Sequence, residues 1–238
     1  MKYTLPMINC SKRIQLFSEL LMACDTLCDI GCDHGYMSIL ALTDGKARRV
    51  LACDINEGPL QKASENIRDC GLSDRAELIL SDGFREIHEP FDACIICGMG
   101  GLLIRNILRE AGEKLSGVRQ MILSPHSEAY ALRKYLAEET SFTIRRETCV
   151  KDAGHFYTAF DVRRKEDGMC PEITERDLLF GNPALETDSA VYREMTEDLL
   201  QKNRKALSML CGNDSERVLE KKEELTRKES YLLSILES

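Results

Sequence analysis

The chain has 238 residues, 43% of them apolar, enough for one full domain plus a smaller appendage. Its formal net charge of −8 excludes a protein coated in basic surface, although a local basic patch can still meet nucleic acid. No apolar run approaches the ~20 residues that span a bilayer, and the opening MKYTLPMINCSKRIQLF lacks the apolar core of a secretory signal, so a cytoplasmic protein is expected.

Lys12-Arg13 is the first of four basic runs, followed by Arg48-Arg49, Arg145-Arg146 and Arg163-Arg164-Lys165. Each taken alone is either an ordinary solvated face or a nucleic-acid contact. Apolar runs predict strands over 26–31, 49–55, 76–80, 93–98, 121–123, 142–150 and 156–162. Helical patterns fall between the early ones, over 36–42, 58–70, 102–113 and 128–138. This alternation implies βαβ units and a mostly parallel sheet covered on both faces. No helix separates the last two strands, only a polar, glycine-containing turn at 152–155, so they should form an antiparallel hairpin at one sheet edge.

Composition changes at Glu166-Asp167-Gly168, with Pro171 following, which divides the chain into 1–165 and 172–238. Val191, Met195 and Leu199 form an apolar stripe continued by Ala206 and Leu210. Residues 211–214 read as a helix stop and a new N-cap, and Val218, Leu225 and Leu232 recur every seven residues, with Leu236 beyond. Two amphipathic helices with a short turn make an antiparallel helical hairpin or short coiled coil, for which mutual packing is the simplest role.

Ligands of parallel α/β sheets bind beyond the carboxyl ends of the strands. Four polar signals fall there in order: Asp29-Ile-Gly31-Cys-Asp33-His34-Gly35-Tyr36, then Asp54-Ile55, then Ser81-Asp82-Gly83, then Cys97-Gly98-Met99-Gly100-Gly101. The dinucleotide fingerprint G-x-G-x-x-G and the P-loop are both absent, and Asp29 and Asp33 would repel a pyrophosphate. Acids around a glycine turn suit a ligand with a cationic end, an amino group and a ribose, whose hydroxyls Asp54 can accept. S-adenosylmethionine has all of these, and the four signals with the terminal hairpin point to the class I methyltransferase, Rossmann-like fold. The eleven cysteines offer no metal site by spacing: Cys24, Cys28 and Cys32 are spaced C-x3-C-x3-C, and Cys94 and Cys97 face opposite sides of one strand. They read as reduced, mostly buried thiols.

The motifs Ser11-Lys12-Arg13, DIGCDHGY, Asn56 to Leu60, SDGF, CGMGG, Leu123-Ser124-Pro125-His126 and Phe180 to Pro183 resemble, in order, those of the bacterial tRNA (adenine-N1)-methyltransferase family TrmK, which modifies adenine 22. The resemblance runs from about Ser11 to the end of the chain. It implies methyl transfer from S-adenosylmethionine to N1 of a tRNA adenine, with the helical hairpin helping to hold the tRNA. Carried over, Asp29, Gly31, Asp54, Ile55, Asp82, Gly83, Gly98 and Met99 match the cofactor pocket. Asp33, with His34 and Tyr36 beside it, matches the catalytic acid. Lys12, Arg13, Gly100, Pro125 and His126 match the substrate side. The chain departs from the family at Met37-Ser38, where Leu-Pro is usual, and at Ser124 and His126, where Gln and Asn are usual.

The chemistry agrees with these roles. An adenine methylated at N1 gains positive charge, which a carboxylate can stabilise, or the carboxylate can take a proton from the exocyclic amine. Asp33 is the first choice, against the alternative that it caps the turn. His34 is an orienting or packing group, and Tyr36 either stacks on the base or belongs to the core. Rival functions are methylation of a small molecule or protein, and RNA binding with a vestigial pocket. The oligomeric state is expected to be a monomer or weak dimer, with no metal and no membrane partner.

Overall fold

The computed structural model describes residues 11–165, 173–182, 185, 189–210 and 215–237. The composition break at 166–171 and the helix stop at 211–214 therefore lie outside the described residues. Seven strands, β1 Cys24–Ile30, β2 Ala47–Asp54, β3 Ala76–Leu80, β4 Ala93–Gly100, β5 Gln120–Ser127, β6 Phe142–Asp152 and β7 His155–Arg164, form one sheet. Its order is β3-β2-β1-β4-β5-β7-β6, parallel through β5, with β7 antiparallel to both β5 and β6.

The central strands are buried on both faces, which is why they read as continuous apolar runs. On one face, Leu27, Val50 and Ile95 pack against α1 Lys12–Leu20, α2 Tyr36–Thr43 and α3 Glu57–Asp69, through Phe17, Ile39 and Ile67. On the other, Ile96, Met121 and Phe160 meet α4 Gly101–Ala111 and α5 Ala129–Glu139, through Ile104, Leu108, Leu132 and Leu136. Each such aliphatic side chain contributes roughly 1.5–3 kcal/mol by leaving water.

In the sheet region, a helix and a strand extend the sequence reading, and α6 Glu175–Phe180 adds a further helix beyond it. The first is α1, whose Ile14 and Phe17, with Leu21 just past its end, follow helical spacing. The second is the length of β5, which continues past Leu123 because Pro125 and Ser127 pair with Met99 and Gly100 on β4. Pro125 has no N–H to donate and sits where that pairing already shifts register.

Beyond the sheet lie α6 Glu175–Phe180, α7 Ser189–Met209 and α8 Glu216–Glu237. The last two run antiparallel, since Arg193 bonds the carbonyl of Leu236 while Arg204 pairs with Glu229. Their seam differs from the expected stripe. Tyr192, Thr196, Leu200 and Asn203 are the buried positions of α7, and Val191, Met195, Leu199 and Ala206 are half-buried beside them. Two seam residues are polar and satisfied: Thr196 Oγ donates to the Tyr192 carbonyl and Asn203 Nδ2 to that of Leu225. In α8 Leu225 and Leu232 are buried as expected, while Ile235 rather than Leu236 completes the row. The face is displaced because α7 also packs on β6, where Tyr192 and Ile235 enclose Cys149.

Candidate active site

The site begins where β1 ends. Gly31, Asp33 and Gly35 all have left-handed backbones, with φ of 74°, 49° and 73°. A Cβ on Gly31 would have to displace the flexible end of the Met99 side chain, and the left-handed backbone is what makes glycine the fitting residue here. Gly31 and Cys32 donate to the Cys53 carbonyl at 2.8 and 2.9 Å, and Gly35 to that of Cys32 at 2.7 Å. Asp33 N–H donates to Asp54 Oδ2 at 3.3 Å. The carboxylate that braces the turn at this amide is thus that of Asp54. The left-handed step leaves the Asp33 side chain 69% exposed, 3.6 Å from His34 Nε2.

The other acids are arranged differently. Asp29 is 3% exposed and its Oδ2 accepts from Ser38 Oγ at 2.6 Å. Burial raises its pKa to about 6, and the neighbouring charge of Asp54 adds to the shift. Asp54 Oδ1 accepts from Asn56 N–H at 2.9 Å, and Ile55 beside it leaves 61% of its surface in solvent. After β3, Ser81 Oγ donates to the Gly83 carbonyl and accepts from Glu86 N–H, which shapes the turn that presents Asp82. Asp82 is exposed and pairs with Arg85 at 2.8 Å.

These groups enclose a cleft of about 670 Å³ at the carboxyl ends of β1, β2, β3 and β4. The sequence-predicted residues Asp29, Gly31, Asp33, His34, Tyr36, Asp54, Ile55, Asp82, Gly83, Gly98, Met99, Arg13 and His126 all line it. Lys12, Gly100 and Pro125 do not: Lys12 is solvent-exposed, Gly100 sits against Ser127 and Glu128, and Pro125 is buried in β5. Ser124 is also withdrawn, its Oγ donating to the Thr158 carbonyl at 2.7 Å, so of the departing residues His126 and Met37 line the cleft and Ser124 does not. Sequence reasoning missed the wall supplied by α1, namely Ser11, Ile14 and Phe17, and the floor supplied by Leu103 and Ile107 of α4. Helical spacing in both segments was the available signal.

Several expected features have structural uses. Arg164 donates to the carbonyls of Leu115 and Ser116, and Lys165 to those of Ala137 and Thr140, closing the ends of helical turns rather than forming a basic patch. Cys94 packs in the core on one face and Cys97 against the other. Burial pushes the Cys28, Cys32, Cys94 and Cys97 thiols well up, which keeps them protonated. Among the described residues no group of three or more His, Cys, Asp or Glu is placed to hold a metal, and no helix is long and apolar enough to cross a membrane.

A sheet of this order, with a glycine turn after β1 and acids after β1, β2 and β3, defines a methyltransferase of the Rossmann-like class. Within that class the chain belongs to the TrmK family, tRNA (adenine(22)-N(1))-methyltransferase, whose model matches residues 27–231. It is 31% identical over 167 residues to the tRNA (adenine(22)-N(1))-methyltransferase of Bacillus subtilis, an alignment covering 70% of this chain and 64% of that relative. The crystal structure of the B. subtilis m1A22 tRNA methyltransferase TrmK superposes with a TM-score of 0.82 at 27% identity, covering 95% of this chain and 98% of that one. A Streptococcus pneumoniae structure in complex with S-adenosyl-L-methionine superposes at 0.80, also at 27% identity, covering 95% and 99%.

Proposed function

We propose that this chain transfers a methyl group to N1 of adenine 22 in tRNA, in the cytoplasm, with S-adenosylmethionine as donor. The observation that carries the reading is a pair of buried acids, Asp29 and Asp54, that face the cleft with no cation paired to them among the described residues, next to an exposed Asp33. These residues fit the donor. Asp29 and Asp54 suit its amino group and ribose, exposed Ile55 gives the adenine an apolar face, and the left-handed turn at Gly31 brings the backbone to the cleft. When bound, S-adenosylmethionine supplies an electrophilic methyl group on a sulfonium.

Asp33 stands at the mouth of the cleft, where its carboxylate can stabilise the positive charge that N1 acquires. His34 limits its freedom at 3.6 Å, and the Tyr36 ring, 5.8 Å from that of His34, offers a half-open face for a base. A base within a stem must leave its stack to reach these groups. The helical pair α7–α8, in the second unit proposed for 172–238, supports the rest of the tRNA.

The test combines cofactor calorimetry with mapping of labelled methyl groups in bulk tRNA. Wild-type protein should bind S-adenosylmethionine and label one adenine at N1. Asp33→Asn should bind the cofactor within twofold of wild type and lose about 100-fold in kcat. Label appearing only in small molecules would overturn the tRNA reading, and full turnover by Asp33→Asn would remove the role of its carboxylate.

A further inference from the structure

Three side chains from three elements meet on the substrate side of the cleft. The Arg13 guanidinium of α1 lies over the Tyr157 ring of β7, 5.2 Å from its centroid. The His126 imidazole of β5 meets the same ring edge-on at 5.6 Å. Arg13 and His126 both line the cleft, and Tyr157 stands behind them. The imidazole also lies over Gly98, where a Cβ would stand 3.8 Å from Cε1. The α1 end of the cluster is tied to the β6–β7 hairpin, because Arg13 N–H donates to Asp152 Oδ2 at 3.4 Å.

We infer that His126 reads the 6-amino edge of the acceptor base and that Tyr157 is the positioning residue that holds it there, with Arg13 stacked on the same ring. The chemistry follows from the imidazole's state. Burial, and then the charge of Arg13, lowers the His126 pKa, so one ring nitrogen stays free to accept a hydrogen bond. An acceptor at this place favours a purine bearing an amine over one bearing a carbonyl, and it leaves the N1 lone pair unengaged. A neutral imidazole also adds no positive charge beside the cation that forms at N1. Tyr157 does not need to touch the base: its ring fixes both neighbours by their faces and edges. The inference rests on the methyl-transfer reading and adds the residues that select the acceptor.

The experiment compares a tRNA carrying adenosine at the target with one carrying purine riboside there, which lacks the 6-amino group. Wild-type protein should lose at least tenfold in kcat/KM on the purine substrate, and His126→Ala should be nearly indifferent to the change. Tyr157→Leu should lower kcat/KM for tRNA about tenfold, keep the cofactor Kd within twofold, and add little to His126→Ala in the double variant. Tyr157→Phe, which retains the ring, should stay within twofold of wild type. The inference is overturned if wild type treats both substrates alike, if His126→Ala discriminates as strongly as wild type, or if the two substitutions add independently. The purine arm needs no Tyr157 variant, so misfolding of Tyr157→Leu leaves the test intact. A wild-type protein that binds cofactor but methylates no tRNA would instead defeat the underlying functional reading and the inference with it.

Discussion

Four of the five buried carboxylates among the described residues divide into two pairs that meet burial in opposite ways; the fifth, Asp177, is held in the capping box of α6. Glu147 and Asp161, under the β6–β7 edge, each have an arginine: Arg133 holds Glu147 from α5, and Arg163 holds Asp161 at 2.6 Å. Asp29 and Asp54, at the cleft, have a hydroxyl and backbone N–H groups but no cation partner among the described residues. A buried charge without a partner is costly, and folds normally pair it or neutralise it. The arginine-paired acids complete the fold internally, whereas the cleft acids are left for a ligand that brings its own positive charge. Even the Phe180-Gly181 motif belongs to the first group: a Cβ on Gly181 would overlap the Glu147 carboxylate, and Arg133 also donates to the Leu178 and Leu179 carbonyls.

The largest effect should come from breaking the enclosed pair. Arg133→Met leaves the buried Glu147 carboxylate without its cation, and it strips donors from the end of α6. Loss of one partner of a buried pair costs about 3–5 kcal/mol, so the denaturation midpoint should fall sharply while the m-value holds. The double variant Arg133→Met with Glu147→Leu should recover most of that loss. A cost below 1 kcal/mol for Arg133→Met would mean that this pair is not what anchors α6 to the sheet.

The cleft should respond in the opposite direction. Burial holds the Asp29 pKa at about 6, against an ordinary value near 3.9. Between those values the folded protein keeps a proton that the unfolded chain has lost, so stability falls as pH rises through the window from about 4 to 6. Above it the full penalty remains, at most about 3 kcal/mol. Asp29→Asn keeps the acceptor for Ser38 and removes that penalty. The cofactor-free variant should therefore be about 2 kcal/mol more stable at pH 7 and unchanged at pH 4. Its affinity for S-adenosylmethionine should fall at least tenfold by calorimetry. A variant that gained stability without losing affinity would break the idea that this charge is reserved for a ligand.

Much of this contrast was legible in the residues themselves. The glycines and acids of DIGCDHGY announce a turn at a strand end, and the absence of a third glycine turns the reading away from pyrophosphate. The pattern could not say that Asp54, twenty-one residues away from Asp33, would brace the turn, since that bond crosses from one strand end to the next. The α7 seam was misplaced by one residue because Thr196 and Asn203 are buried with satisfied hydrogen bonds, and an apolar period skips them. Ser124 and His126 looked equivalent in the sequence. Strand alternation would give them one face, yet Ser124 is held inward by β7 while β5 loosens its pairing before His126. Arg133 and Glu147 lie on separate elements, and nothing local marks them as partners.

The smallest predicted effect isolates solvent access within the paired group. Arg163 bonds Asp161 through both Nε and a terminal nitrogen, as a well-formed ion pair should, yet its side chain is 37% exposed. Asp161 has a second donor in the buried amide of Gln120, at 2.7 Å, which also bonds the carbonyl of Leu20. Arg163→Gln removes a cation that water already reaches, and it leaves Asp161 with a protein hydrogen bond. The loss should be about 1 kcal/mol, reduced further in high salt, as for exposed pairs generally. Chemical denaturation of Arg163→Gln beside Arg133→Met at two salt concentrations checks this. Equal, salt-independent losses would show that the arginines are set apart by something other than their exposure to water.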